Sequence, residues 1–266
     1  MDGYLRLRQI CLVAPALRPA EEGIAAVLGV AACFRDPGVG RFGLENALFP
    51  LGTGVLEVVA PVREGTAAGR FLERSGGRGG YMVILDCDDP ERRRAHAEAL
   101  GLRIAHEYRH EGYLGVQLHP RDARAAMIEF NRTAGGEALD GPYHPAGPDW
   151  PSIVRRGGRG PRLLAVEVEG PDPAGLAAHW ARIMEVPVAS AADGGGEVPC
   201  IDLPGGRILF LHASGAEGGE RLAGLRIGLP DAARALAAAE ACGLRGANGR
   251  LWLAGVRLAL SEGGGG

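Results

Sequence analysis

Apolar and polar positions along this chain repeat one order: a strand, an amphipathic helix, then up to three short strands. Four copies are readable, at residues 5–62, 80–131, 162–212 and 222–261. A repeat of this kind is one supersecondary unit that must pair with its neighbours to bury its apolar face. The first copy predicts strands at 7–13, 31–34, 44–49 and 55–60. Its helix is predicted at 20–28, with Glu21 and Glu22 in the first turn and Gly29 at the end. Gly52-Thr53-Gly54 marks a hairpin. The second copy predicts strands at 81–87, 102–108, 113–119 and 126–131. Asp89 and Pro90 open its helix, which runs to about Leu100.

The third and fourth copies are weaker. Strands are predicted at 163–168, 199–203 and 207–211, with a helix at 173–184, and then at 225–229, 250–253 and 256–260, with a helix at 231–242. One late strand in each has no clear signal. Residues 133–160 lack periodicity and are rich in Gly and Pro, as expected of a linker or a functional flap. The pattern gives an α+β chain of four βαβββ modules forming two paired cupped-sheet units, 1–132 and 161–266, joined by the segment 133–160. The tail 263–266 has no side chains to pack and is expected to be disordered.

Composition narrows the function classes. The 29 basic residues are all Arg, which removes Schiff-base chemistry on a lysine. They are scattered and the net charge is −3, so no nucleic-acid face is expected. No apolar run approaches the roughly 20 residues of a membrane helix. The start of the chain leads straight into a strand, so no leader is expected. Five cysteines form no close pair, which favours a reducing, cytoplasmic setting.

The segment 42–52, continuing through 56–62, resembles the bacterial glyoxalase-like branch of the vicinal oxygen chelate superfamily. The resemblance is good over 4–132 and architectural over 162–261. It implies one metal ligand on the first strand of each module and a Glu on the last. Gln9 and Glu57 stand at those positions in the first module, and Met82 and Glu129 in the second. The two offsets are 48 and 47 residues. Alternation puts Val55, Glu57 and Val59 on one face, and Met127, Glu129 and Asn131 on one face. Met82 replaces the His the resemblance implies, and a thioether is a poor ligand in an oxygen-rich site. A loosely held divalent ion (Ni, Zn, Mn, Co or Fe) on Gln9, Glu57 and Glu129 and no metal at all both stay open.

Glu57 and Glu129 are candidate general bases. His119 is a third candidate, as an acid, a base or a substitute ligand; the competing reading is a turn histidine bonded to Asp122. Positions matching the ligand columns in the second half fall near Ala165, Phe210, Gly224 and Leu258, none of which is a metal ligand. That half is expected to have a dry core and to close over the first. The resemblance implies a small-molecule enzyme of lyase or isomerase type that moves a proton next to a carbonyl. The alternative is metal-free sequestration of a small molecule, as in bleomycin-resistance proteins. Either would act as a monomer or homodimer.

Overall fold

A computed structural model describes residues 3–158, 160–213, 219–246 and 249–263. The basic residue Arg159 and the tail from residue 264 lie outside the described residues. The first half contains β1 (Leu5–Val13), α1 (Leu17–Leu28), β2 (Leu44–Leu51), β3 (Gly54–Pro61), α2 (Ala67–Ser75), β4 (Gly80–Cys87), α3 (Pro90–Ala99), β5 (Ile104–His110), β6 (Tyr113–Leu118), α4 (Pro120–Ala123) and β7 (Met127–Thr133). After α5 (Trp150–Gly157) come β8 (Arg162–Gly170), α6 (Pro173–Met184), β9 (Ala189–Asp193), β10 (Gly196–Leu203) and β11 (Gly206–His212). The chain ends with β12 (Arg221–Leu229), α7 (Ala232–Ala241), β13 (Leu251–Leu253) and β14 (Val256–Glu262).

Each half forms one seven-stranded sheet, ordered β2-β3-β1-β4-β7-β6-β5 and β13-β14-β12-β8-β11-β10-β9. The first strands of paired modules, β1 with β4 and β8 with β12, lie antiparallel at the centre. Each is flanked by the last strand of its own module, parallel to it. The predicted strand at 31–34 shrinks to a single bridge, Phe34 to Leu48, because Pro37 and the glycines after it turn the chain into a 3-10 helix capped by Asp36. The fourth module loses its matching strand in the same way, keeping only a bridge from Arg245 to Leu251. The third module's missing strand is β9, paired to β10 across Gly194-Gly195. Helix α1 starts at Leu17 rather than 20, because Pro19 sits in the first turn, where a missing N–H costs nothing. Glu21 and Glu22 therefore fall beyond that turn.

One continuous core joins the halves. It runs from Leu7, Ile10 and Leu12 on β1 through Val83 and Leu85 on β4 to Val166, Phe210 and Leu225 in the second half. Helix α1 lies against α7. Trp180 on α6 donates from Nε1 to the carbonyl of Ala123 at 2.8 Å, and Leu7 N–H donates to Pro204 O at 2.9 Å. The sheets thus pack back to back, and their cupped faces point away from one another. This overturns the expectation that the second half closes over the first. Backbones meet so closely that a Cβ on Gly80 would strike the carbonyl of Leu222. Gly80→Ala is expected to cost about 1–3 kcal/mol, read by urea unfolding. An unchanged midpoint would mean the sheets can part there.

Candidate functional site

The cup of the first sheet holds a cavity of about 570 Å³, and every lining residue falls between Gln9 and Pro145. Strand alternation builds its wall: Gln9 and Cys11 from β1, Asn46 from β2, Glu57 and Val59 from β3, Met82 and Ile84 from β4, Tyr113 and Gln117 from β6, Met127 and Glu129 from β7. Gln9, Glu57 and Glu129, predicted on three different strands, therefore line one cavity. Cross-strand pairing explains why. Glu57 stands opposite Cys11 on β1, and Glu129 opposite Ile84 on β4, at the same step from the pseudo-twofold between the central strands.

Both carboxylates are buried and held by neutral donors. Glu57 accepts from Gln9 Nε2 at 2.8 Å and from Asn46 Nδ2 at 2.7 Å. Glu129 accepts from Tyr113 OH at 2.9 Å, Gln117 Nε2 at 2.8 Å and Asn131 Nδ2 at 3.1 Å. Burial raises the pKa of Glu57 above the ordinary glutamate value. Hydrogen bonds from Asn46, Cys11 and Gln9 pull against that rise, and the charge of Glu129 adds to it. Burial, reinforced by Glu129, likewise raises the Tyr113 phenol. Burial and then Glu57 push the Cys11 thiol well up, so it is an inert wall residue rather than a nucleophile.

The segment after β7 is part of this site. Arg6, itself paired in the interior with Asp86 at 2.6 Å, donates to the carbonyls of Gly136 and Glu137. Arg8 donates to Leu139 O at 2.9 Å and lies against the rings of Tyr143 and Trp150. Tyr143 and Trp150 are fully buried beside Leu48 and Val55. Tyr143 OH then donates to Gln9 Oε1 at 3.0 Å, which turns the Gln9 amide nitrogen toward Glu57. His144 stacks on Tyr113 with ring centroids 4.7 Å apart and lines the cavity; burial and the nearby His110 lower its pKa. Tyr143, His144 and Trp150 lie in no periodic segment, so no periodicity in the sequence marks them. Asn46 and Gln117 were readable from alternation on β2 and β6.

His119 does not reach the cavity. Strand β6 ends at Leu118, and His119 caps α4, its Nδ1 accepting from Arg121 N–H at 3.3 Å; the Asp122 backbone N–H bonds its carbonyl. In the second sheet the pocket-face positions are Leu209 and Ala259, paired with Glu167 and Arg226, not Phe210 and Leu258, which point into the core. The cup there is not dry. Glu167 accepts from Arg226 at 2.8 Å and Arg257 at 2.9 Å, Arg226 also reaches Asp193 at 2.7 Å, and Glu169 pairs with Arg221 and Arg257. These paired charges, Arg221 aside, line a cavity of about 640 Å³ in the second cup.

Gln9, Glu57 and Glu129 do not fit a transition ion. Every carboxylate oxygen of the pair already accepts from an amide or phenol donor, and Gln9 offers its nitrogen, not its oxygen, to Glu57. Met82 adds a soft thioether, and among the described residues no three His, Cys, Asp or Glu side chains converge as ligands. Elemental analysis of protein purified without chelators is expected to return well under one divalent ion per chain. A stoichiometric ion lost in Glu57→Ala would overturn this.

No family model matches the chain, and no curated protein matches it. Among solved structures, methylmalonyl-CoA epimerase from Streptomyces coelicolor in complex with 2-nitronate-propionyl-CoA is similar over 48% of this chain and 97% of its own, at 22% identity and a TM-score of 0.44. The epimerase from Mycobacterium tuberculosis is similar over 48% of this chain and 87% of its own, at 20% identity and a TM-score of 0.42. A hypothetical protein from Staphylococcus aureus is similar over 97% of this chain and 99% of its own, at 8% identity and a TM-score of 0.64. With its central antiparallel pair repeated in two seven-stranded sheets, and an architectural match along nearly its whole length, the chain has a glyoxalase-like α+β fold, built twice.

Proposed function

We propose that the first unit binds a compact carbonyl compound and moves a proton at the carbon beside the carbonyl, in an isomerase or lyase reaction. One observation carries this reading: Glu57 is a buried carboxylate on the cavity wall whose affinity for a proton is raised by burial and whose oxygens are oriented by two amides. Such a group is a stronger base than an exposed glutamate and is fixed in place before the ligand arrives. Glu129, from the module related by the pseudo-twofold, faces the same space. One carboxylate can take a proton and the other return it on the opposite side. Gln117, which gives one N–H to Glu129, lines the cavity with a second N–H that can meet a developing enolate oxygen. No step requires a metal.

The test is solvent exchange. Carbonyl compounds are incubated with the protein in D2O, and loss of the α-proton is followed by NMR. Exchange in at least one compound, saturable and dependent on Glu57, supports the reading. Tight binding without exchange would favour sequestration instead. One feature speaks for that second reading: Arg41 lies over the rings of Phe42 and Tyr108, at 4.6 and 4.3 Å, on an aromatic wall suited to stacking.

A further inference from the structure

The cavity has opposite charge at its two ends. Deep in the cup are Glu57 and Glu129, both buried. At the rim are Arg41, on the 3-10 helix Pro37–Phe42, and Arg63, just past the end of β3; both are exposed and both line the cavity. Neither has a carboxylate partner among the described residues. By contrast, Arg35 pairs with Glu21, and Arg109 pairs with Glu91 and Glu107. Arg41 is held instead by the faces of Phe42 and Tyr108, which fix its direction without cancelling its charge. Arg63 packs over Gly43, two residues from Arg41, where a positive φ favours glycine. The remaining rim carboxylate, Asp36, accepts from Gly38 N–H at 2.7 Å as the cap of the 3-10 helix.

A neutral ligand would gain nothing from two unquenched cations. An anionic one would be drawn to the rim and repelled by the carboxylates below, so its charge would set its orientation: anionic end outward, carbonyl end inward. We propose that Arg41 and Arg63 form an anion subsite at the rim of this cavity, and that the ligand is a carbonyl compound bearing a carboxylate or phosphate. The inference rests on the proposed reading of the cavity as a carbonyl-binding site.

The full chain is titrated by calorimetry with 2-oxobutyrate and dihydroxyacetone phosphate, beside their uncharged counterparts 2-butanone and dihydroxyacetone. The charged member of at least one pair is expected to bind about tenfold more tightly, with an advantage that shrinks as salt rises. The pair that shows it separates carboxylate from phosphate. The double variant R41Q/R63Q is expected to lose the advantage and R41K/R63K to keep part of it, since both sites are exposed and the fold does not depend on them. No charge preference, or a preference that survives R41Q/R63Q, overturns the subsite. The Glu57→Gln protein should keep the preference. A charge preference in protein that shows no α-proton exchange would sink the proton-transfer reading and leave the subsite standing.

Discussion

Glu57→Gln is expected to lower the α-proton exchange rate by about 10²–10⁴-fold, the usual contribution of a positioned general base. The amide keeps the shape of the carboxylate and one of its two acceptors; its NH2 then faces an NH2 of Asn46 or Gln9, a pH-independent loss of about 1–3 kcal/mol that leaves the fold in place. Its stability should respond to pH with a definite sign. Burial raises the folded-state pKa of Glu57 above the ordinary 4.5. Between those two values the unfolded chain has released the proton and the folded chain still holds it. Stability contributed by this group is therefore full below the ordinary pKa and is lost as pH rises through the folded one. Glutamine has no such titration. Melting temperatures measured from pH 4.5 upward should shift progressively in favour of Glu57→Gln, while the wild-type exchange rate rises over the same window. A difference flat in pH would mean that Glu57 is not held protonated by burial. Undiminished exchange in the variant would remove it from the chemistry.

Trp150→Ala is expected to cost about 3–5 kcal/mol, the range for deleting a large buried aromatic. Trp150 is fully buried against Leu48, Val55 and Tyr143, and its ring lies 5.7 Å from the Arg8 guanidinium. Removing it takes away one of the two rings that shelter a buried cation and loosens the seat of Tyr143, whose hydroxyl orients Gln9. Urea unfolding reads the stability, and the exchange assay reads the consequence for the site. Trp150 Nε1 has no hydrogen-bond partner among the described residues, so Trp150→Phe gives up little and should fall well short of the alanine cost. Equal losses for Phe and Ala would show that the indole nitrogen matters in a way the packing does not explain.

The sheet of the first half is readable because β1, β3 and β4 carry aliphatic and β-branched runs, and because matching offsets tie Gln9 to Glu57 and Met82 to Glu129. The second half was misread by one residue. A shift of one position turns Leu209 into Phe210 and Ala259 into Leu258, and exchanges cup for core. Its charged cup was missed because Glu167, Arg226 and Arg257 look like ordinary solvated strand residues until three strands bring them together. The segment of Tyr143, His144 and Trp150 reads in the sequence as a linker or a functional flap, but not as the strap that seats Gln9. A segment anchored by carbonyls to Arg6 and Arg8 has no period to betray it. His119 misled for a simpler reason: it continues the parity of Gln117 past the point where the strand stops.

Two sheets set back to back on one core are also a statement about inheritance. Neither half can be shed or exchanged as a module, because each supplies the other's interior. The second cup can nevertheless drift in character, so long as its charges stay balanced, while the side facing the first sheet stays fixed. Tolerance to substitution along β8, β11 and β12 should therefore alternate residue by residue. The half of the molecule that carries no reactive carboxylate would still decide whether the other half exists as a folded object.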